Sequence, residues 1–401
     1  MDITFSPAAE KFREFVKAFL VRNLPSNWQG IGALSKDYTR SFTENWRQLL
    51  VENNLLALSW PKCYGGGGLT LEETVVLSEE FIRVGAPLGS PTDVFGIQML
   101  GNTLLAHGTP DQKSYFLPRI TSGIDRWCQG YSEPNAGSDL ASLSTRAELV
   151  GDEWVINGQK TWTSAAHLAN HIFILARTDS NVPKHRGLSF LLVPMDQPGV
   201  EVRPIQMMTN EHEFNEVFFS NAKTGQGNIV GSSGQGWNIA MTLLGFERGE
   251  SASTLPIRFR MELDRLFDLA RETGASKDPL IRQRLSWCYS RVMVMHYLGL
   301  QSLTSLLANR APGPESSISK LYWSEYHKVV TELAVDILGT RALVIQGRKP
   351  TTSFQTDDYG APNSSASWDM TFLNARAGTI YAGTSEVQKN ILAEMILGMP
   401  K

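Results

Sequence analysis

Cysteine is scarce in this chain: Cys63, Cys128 and Cys288 are the only three among 401 residues, odd in number and far apart. Neither a disulfide framework nor a CxxC metal knuckle can be assembled from them, and a reducing cytoplasm suits them best. Long apolar runs are missing as well. No segment approaches the roughly eighteen uninterrupted apolar residues of a membrane helix, and the opening MDITFSPAAEKFREF lacks the basic region and apolar stretch of a secretory signal. A soluble, unprocessed cytoplasmic protein without a membrane partner is therefore expected. The net charge of -3, with 42% hydrophobic and 19% charged residues, shows no excess of either sign. This speaks against a nucleic-acid partner. The seven histidines include no HExxH pairing, so no metal site is expected. GLSFL lacks the second glycine of a nucleophile elbow, and GQGNIVG (225–231) has Val230 where a dinucleotide fingerprint needs its third glycine, so it reads as a loop.

What is present has a clear order. The length predicts two or three packed domains. Ser6-Pro7 is a good helix start, followed by Phe12, Phe15, Val16, Phe19 and Leu20 at helical spacing. Further helical patterns cover 43–58, 71–85 and 97–108, with the four glycines of CYGGGGLT breaking the chain between the first two. A helical N-terminal domain is expected over 1–122.

From 123 to 233 the texture turns to short β-type runs. TRAELV and EWVIN flank Gly151-Asp152, and Asn157-Gly158 predicts a second hairpin between VIN and QKTWTS. HIFILAR, GLSFLLVPM, VEVRPIQMM and EVFFSNA continue the series, predicting an antiparallel sandwich or barrel. Over 234–401 the pattern is helical again, at 237–273, 279–310, 318–340 and 385–398, with the polar stretch GRKPTTSFQTDDYGAPNSSAS predicting an exposed loop between the last two. The fold class is thus α+β.

Three segments carry the chemistry: GYSEPNAGSDLASLSTRAE (130–148), INGQKTWTSAAHLAN and IYAGTSEVQKNILAEMILG (380–398). Read bare, they are a turn-rich loop dense in donors and acceptors, an aromatic at a strand end and a capped helix start. In this order and at this spacing they closely resemble the acyl-CoA dehydrogenase family, over essentially the whole chain. The resemblance implies an N-terminal helical domain, a middle β domain and a C-terminal four-helix bundle, with FAD extended between the last two. It implies α,β-dehydrogenation of an acyl-CoA thioester, which needs a base for the C2 proton, hydrogen bonds to the thioester oxygen and a flavin N5 to take the C3 hydride.

By resemblance, Tyr131 and Ser132 line the flavin ring, and Ser138 faces CoA. Trp162 packs on the ring, with Thr163 and Ser164 in its plane. Thr384, Ser385 and Glu386 meet the FAD phosphates at a helix N-terminus. Ser138, Arg248 and Gly383 belong to the acyl-CoA side.

The match has one vacancy. Where many members carry a glutamate base between the Tyr and Gly of the last motif, this chain has Ala382. A methyl group takes no proton, although the Ala382 N–H can still polarise the thioester oxygen. The isovaleryl-CoA and long-chain branches share the vacancy and supply the base from another helix, immediately before an arginine; here that pair is Glu247-Arg248 in GFERGES. Read bare, Glu247 is a solvated helix-surface acid. The resemblance implies the catalytic base, with its pKa raised by desolvation. Glu250, three residues on, is the competing candidate.

The partner-facing half of the FAD site departs from the family. Its RxxFG segment falls near ARETGASKDPLIRQRL (270–285), where Arg271 and Gln283 survive without Phe-Gly, and its QxxGG segment is altered to DILGT (336–340). The Arg271 position is equally a solvated helix end. The pattern is similar to the base-carrying subunit of mixed α2β2 members that act on steroid side-chain thioesters, so a hetero-oligomer with a second such subunit stands beside a homodimer or homotetramer. Electron-transferring flavoprotein is the expected acceptor. An acyl-CoA oxidase, and a non-catalytic or half-site subunit, remain the alternatives, and a flavin monooxygenase has no use for Glu247. The resemblance favours a long, branched or steroid side-chain acyl group.

Overall fold

In a computed structural model describing residues 5–249, 251–308, 316–350 and 359–400, the helix starts follow their local chemistry. Ser6 Oγ accepts from the Ala9 N–H at 3.3 Å and opens α1 (Pro7–Asn23), which buries Ala9, Val16, Phe19 and Leu20. After α2 (Lys36–Glu52), Thr70 and Glu73 form a reciprocal capping box at the start of α3 (Leu71–Val84). The helix expected over 97–108 forms as a π-helical stretch, Val94–Gly101, that continues into α4 (Asn102–His107). Thr109 and Gln112 cap a further helix, α5 (Pro110–Ser122), which sequence periodicity did not separate.

The chain packs as two units. One holds residues 1–42, 70–88 and 248–401, the other 43–69 and 89–247. The N-terminal helices are therefore shared: α1 and α3 belong to the first unit, the π-helical stretch, α4 and α5 to the second. The expected boundaries at 122 and 233 both fall inside the second unit.

That unit is built on a sheet of eight strands: β1 (Trp127–Gly130), β2 (Arg146–Val150), β3 (Glu153–Ser164), β4 (His171–Arg177), β5 (Leu188–Pro194), β6 (Val200–Pro204), β7 (Phe214–Gly225) and β8 (Ile229–Val230). The order is β6-β7-β3-β2-β4-β5-β8, with β1 alongside β4. Most pairs are antiparallel, but β1 and β2 run parallel to β4. Successive residues of β4 serve opposite faces: Ile172, Ile174 and Ala176 join one apolar cluster, while Phe173 stacks on Phe190 at 5.6 Å. The GQGNIVG segment supplies the short strand β8, which pairs with β5, so part of it is not loop.

The Gly151-Asp152 hairpin joins β2 to β3 as expected, with Val150 opposite Glu153. The second hairpin, at Asn157-Gly158, does not form. β3 runs straight through it, because the Asn157 side chain braces a bulge in the neighbouring strand: its Oδ1 accepts from the Asn221 N–H at 2.9 Å, and Asn221 takes φ 56°. Gly158 is required for close approach, since a Cβ there would lie 2.5 Å from Thr145 Oγ1.

The expected helical segment 237–273 is seen as α6 (Gly236–Gly249) and α7 (Ser251–Glu272), with residue 250 outside the described residues. Then come α8 (Pro279–Leu307), α9 (Ser316–Leu338), α10 (Ser365–Ala375) and α11 (Ser385–Met395). The core of the first unit is made by Phe259, Leu263 and Leu266 of α7, Cys288 and Val292 of α8, Val330 and Leu333 of α9, and Trp368 of α10. Inside it, Glu262 and His327 meet at 3.2 Å, both essentially buried. Helix α10 corrects the expected loop, whose last residues begin it. Ser365, Ser367, Asp369 and Thr371 are buried together with Ala366, Trp368 and Met370, so no polar face marks the helix in the sequence. Of that loop, 351–358 lie outside the described residues.

Trp368 is fully buried. Trp368→Ala is expected to lower unfolding stability by about 3–5 kcal/mol, measured by denaturant titration; a loss below about 1 kcal/mol would place α10 outside the core.

Candidate active site

The loop after β1 opens with Tyr131, buried edge-on against Phe173 and Phe190 at centroid distances of 6.0 and 6.5 Å. Two residues on, the Glu133 carboxylate is 4% exposed and meets the fully buried Lys160 ammonium of β3 at 2.7 Å. Glu133 also accepts from the Ser144 N–H and hydroxyl at 2.6 and 2.9 Å and from the Thr145 N–H at 2.9 Å. Lys160 Nζ donates in addition to the Tyr131 carbonyl at 3.2 Å, and the adjacent Thr161 N–H to the Ser132 carbonyl at 2.9 Å. The SEPNAGSD and NGQKTWTS segments are thus one structure, joined through a buried ion pair. Sequence reasoning passed over both charges. The available signal was the two-residue alternation of the strand, which puts Lys160 in phase with the apolar Trp154 and Ile156.

Burial is the largest influence on each partner and disfavours both charges. For Glu133 it is outweighed by the Lys160 charge and by the hydrogen bonds, which hold the carboxyl at about 2 instead of 4.5. For Lys160 burial prevails over Glu133 and pulls the ammonium to about 8 from 10.5. The asymmetry follows the partners, since the carboxylate accepts from four donors while the ammonium has one anion and one carbonyl. Both groups are charged at neutral pH. A carboxylate with a depressed folded pKa stabilises fully above its ordinary value and loses that contribution as pH falls towards the folded value. The Glu133 contribution is therefore expected to vanish between pH 4.5 and about 2 in acid unfolding. Glu133→Gln, which strands the ammonium, should cost about 3–5 kcal/mol at pH 7 and flatten that part of the acid profile.

Beyond Lys160 the strand bulges. Lys160 lies opposite Val217 and Thr163 opposite Asn215, so one extra residue sits on β3. Trp162 occupies the bulge at φ 58°, with 60% of its surface exposed and its ring edge-on to Phe214 at 6.0 Å. A tryptophan in left-handed backbone carries roughly 1–3 kcal/mol of strain. Next to it, Thr163 is fully buried, and its hydroxyl has no partner among the described residues. Ser164 is half-buried and Ser138 exposed, the latter beside Asp139, whose carboxylate takes Lys184 at 2.7 Å.

In the other unit, Ala382 at φ 51° and Gly383 at φ 89° form two successive left-handed residues before α11. The buried Gln388 holds them, donating from Nε2 to the Ala382 carbonyl at 3.1 Å. A Cβ on residue 383 would be strained at this φ and would fall 2.3 Å from that nitrogen, displacing the Gln388 amide. Thr384 caps α11 by accepting from the Val387 N–H at 3.1 Å, and Ser385 donates to Glu325 at 2.7 Å, which with Lys328 keeps that carboxyl below its usual range. Glu386 is exposed in the first turn. Just upstream, the buried Lys320 donates to the Gly378 carbonyl at 2.9 Å. Gln388→Leu should cost about 1–3 kcal/mol and raise amide exchange at residues 382–384; unchanged exchange would remove Gln388 from this role.

The backbone of Glu247 lies in the last turn of α6, and the side chains of Glu247 and Arg248 lie outside the described residues, as does Glu250. Arg271 is exposed in the last turn of α7 and pairs with Asp268 at 2.6 Å. Gln283 is exposed in α8, and in the DILGT segment Asp336 pairs with Arg284 at 2.6 Å. Among the described residues there is no group of three or more His, Cys, Asp or Glu side chains suited to a metal ion. Nor is any described helix long and apolar enough to cross a membrane.

Comparison with known proteins gives this arrangement a family. Residues 6–124, 128–222 and 234–397 match, in turn, the acyl-CoA dehydrogenase N-terminal, middle and C-terminal domains. The chain is 43% identical over 397 residues to the acyl-CoA dehydrogenase IpdE1 of Mycobacterium tuberculosis (strain ATCC 25618 / H37Rv), with 98% of both chains covered. It is 42% identical over 407 residues to IpdE1 of Mycolicibacterium smegmatis, again with 98% of both covered. Among solved structures, the Tcur3481-Tcur3483 steroid ACAD superposes with a TM-score of 0.82 at 30% identity, covering all of both chains. The ChsE4-ChsE5 complex from Mycobacterium tuberculosis does so at 0.80 and 26%, with the same coverage. The chain belongs to the acyl-CoA dehydrogenase family, oxidoreductases that act on acyl-CoA thioesters.

Proposed function

We propose that this enzyme introduces the α,β double bond of a long, branched or steroid side-chain acyl-CoA thioester in preference to a short straight chain, with FAD as its cofactor. The observation that carries the reading is the Trp162 bulge. An aromatic face held outward in strained backbone, beside a buried Thr163 hydroxyl that lacks a partner among the described residues, suits a flat ring with polar edges. FAD, when bound, would supply the acceptor for the C3 hydride.

The remaining work belongs to the chain's own residues. Glu247 accepts the C2 proton, and the Ala382 N–H donates to the thioester oxygen as enolate charge develops there. Trp162, Thr163, Ser164, Tyr131 and Ser132 would hold the flavin ring. The N-terminal turn of α11, with Thr384, Ser385 and Glu386, would hold the pyrophosphate, since the positive end of a helix favours negative charge. Arg271 and Gln283 would serve a FAD shared with a neighbouring subunit. Ser138, Arg248 and Gly383 border the CoA thioester.

The bulky-substrate preference is supported by the steroid ACAD among the structural neighbours and by the presence of Ala382 together with Glu247 on α6. Assembly with a second acyl-CoA dehydrogenase-like subunit is supported by the paired names of two neighbours, Tcur3481-Tcur3483 and ChsE4-ChsE5. Electron-transferring flavoprotein is the proposed acceptor, and the cytoplasm the proposed location.

Glu247→Gln is expected to retain FAD while slowing anaerobic flavin bleaching by an acyl-CoA roughly 10²–10⁴-fold, followed by stopped-flow absorbance. Bleaching at the wild-type rate would move the base elsewhere, with Glu250→Gln the next variant. Bleaching screened across short, branched, long and steroid-type thioesters should be fastest with the last; a short-chain optimum would overturn the substrate class. Rapid peroxide release in air would favour an oxidase.

A further inference from the structure

We propose that the buried Glu133–Lys160 pair is the positioning device of the flavin-ring cradle, setting the loop at Tyr131–Ala136 and the Trp162 bulge in one register. The inference rests on the FAD reading above and assigns to it two residues that do not themselves touch the ring.

Lys160 is the last residue of β3 in register with β7 before the bulge, opposite Val217. A strand is free to shift an extra residue along its partner unless something pins the position where the ladder breaks. Here the pin is the ammonium, which reaches Glu133 at 2.7 Å and the Tyr131 carbonyl at 3.2 Å. The next residue repeats the tie in the backbone, Thr161 N–H to the Ser132 carbonyl at 2.9 Å. On the loop side, Glu133 closes a tight turn, its N–H donating to the Ala136 carbonyl at 3.0 Å and its carbonyl accepting from the Ala136 N–H at 3.1 Å. Its carboxylate draws in Ser144 and Thr145, which lead into β2. Three pieces of chain that would otherwise be joined only by ordinary ladder bonds thereby converge on one pair of charges.

An apolar pair of similar volume would fill the same space at no desolvation cost, and replacement of buried ion pairs in that way is often neutral for stability. It would not select one register, because apolar contact is non-directional. The charges therefore act through Trp162 and Thr163, and their removal as a pair should separate folding from flavin binding.

The test uses the full chain as isolated, with any subunit that co-purifies, and free FAD as the probe. In the double variant Glu133→Leu/Lys160→Met, the thermal midpoint of the FAD-free protein should stay close to wild type, while FAD affinity by fluorescence titration falls at least about tenfold. The visible flavin circular dichroism should change as the ring loses its fixed contact. FAD affinity and dichroism equal to wild type in the double variant would overturn the proposal. Should that variant fail to fold, Glu133→Asp carries the test, keeping the charge and shortening the reach by one methylene. A loss of affinity of about fivefold or more with altered dichroism and an unchanged thermal midpoint supports the proposal, and wild-type affinity overturns it. Wild-type protein that binds no FAD would refute the function proposed above, a result distinct from both.

Discussion

The second unit depends on one buried charge pair. Bringing an ammonium and a carboxylate out of water costs several kcal/mol per ion, and their attraction offsets this only when the geometry is good and the remaining donors and acceptors are met. Glu133 and Lys160 satisfy that condition through Ser144, Thr145 and the Tyr131 carbonyl. The consequence is a constraint on the backbone. Loop 131–136, the start of β2 and the break in β3 cannot move separately, and the strained Trp162 is held outward by a structure that over-determines its conformation.

The other unit solves a related problem with different groups. A pair of left-handed residues before α11 needs its carbonyls held, and the buried Gln388 takes that of Ala382 while the buried Lys320 takes that of Gly378. In both units a long polar side chain rooted in a regular element reaches a backbone carbonyl of an irregular segment. Precision is thereby passed from strand or helix to loop, which is what a site demanding placement of a few tenths of an ångström requires. Ala382 fits this scheme under the proposed mechanism, in which a residue used through its backbone N–H needs a fixed φ and ψ more than it needs a side chain.

Much of the fold was legible wherever structure is local. Ser6-Pro7, the Gly151-Asp152 hairpin and the apolar periodicities of α7, α8 and α9 form as their sequences suggest, because capping, turn geometry and helix faces are decided within a few residues. The failures share a cause. Asn157-Gly158 is a hairpin signal in isolation, yet the Asn157 side chain is committed to the backbone of Asn221, 64 residues away. Helix α10 has no amphipathic pattern because its residues 365–371 are all buried, and α5 was hidden within a region already read as helical. For the site, the motifs and their order were readable, and the family followed from them. The joining of SEPNAGSD to NGQKTWTS by Glu133 and Lys160 was not, since a charge in a sequence carries no sign of being buried.

Sequence alone therefore determined the family and the residue types offered to the site, among them Ala382 and the Glu247-Arg248 pair, since these reside in residue identity and spacing. Only the tertiary structure decided which charges leave water, which strand bulges and which carbonyls are held. Those outcomes depend on partners tens of residues away, whose proximity no local pattern encodes.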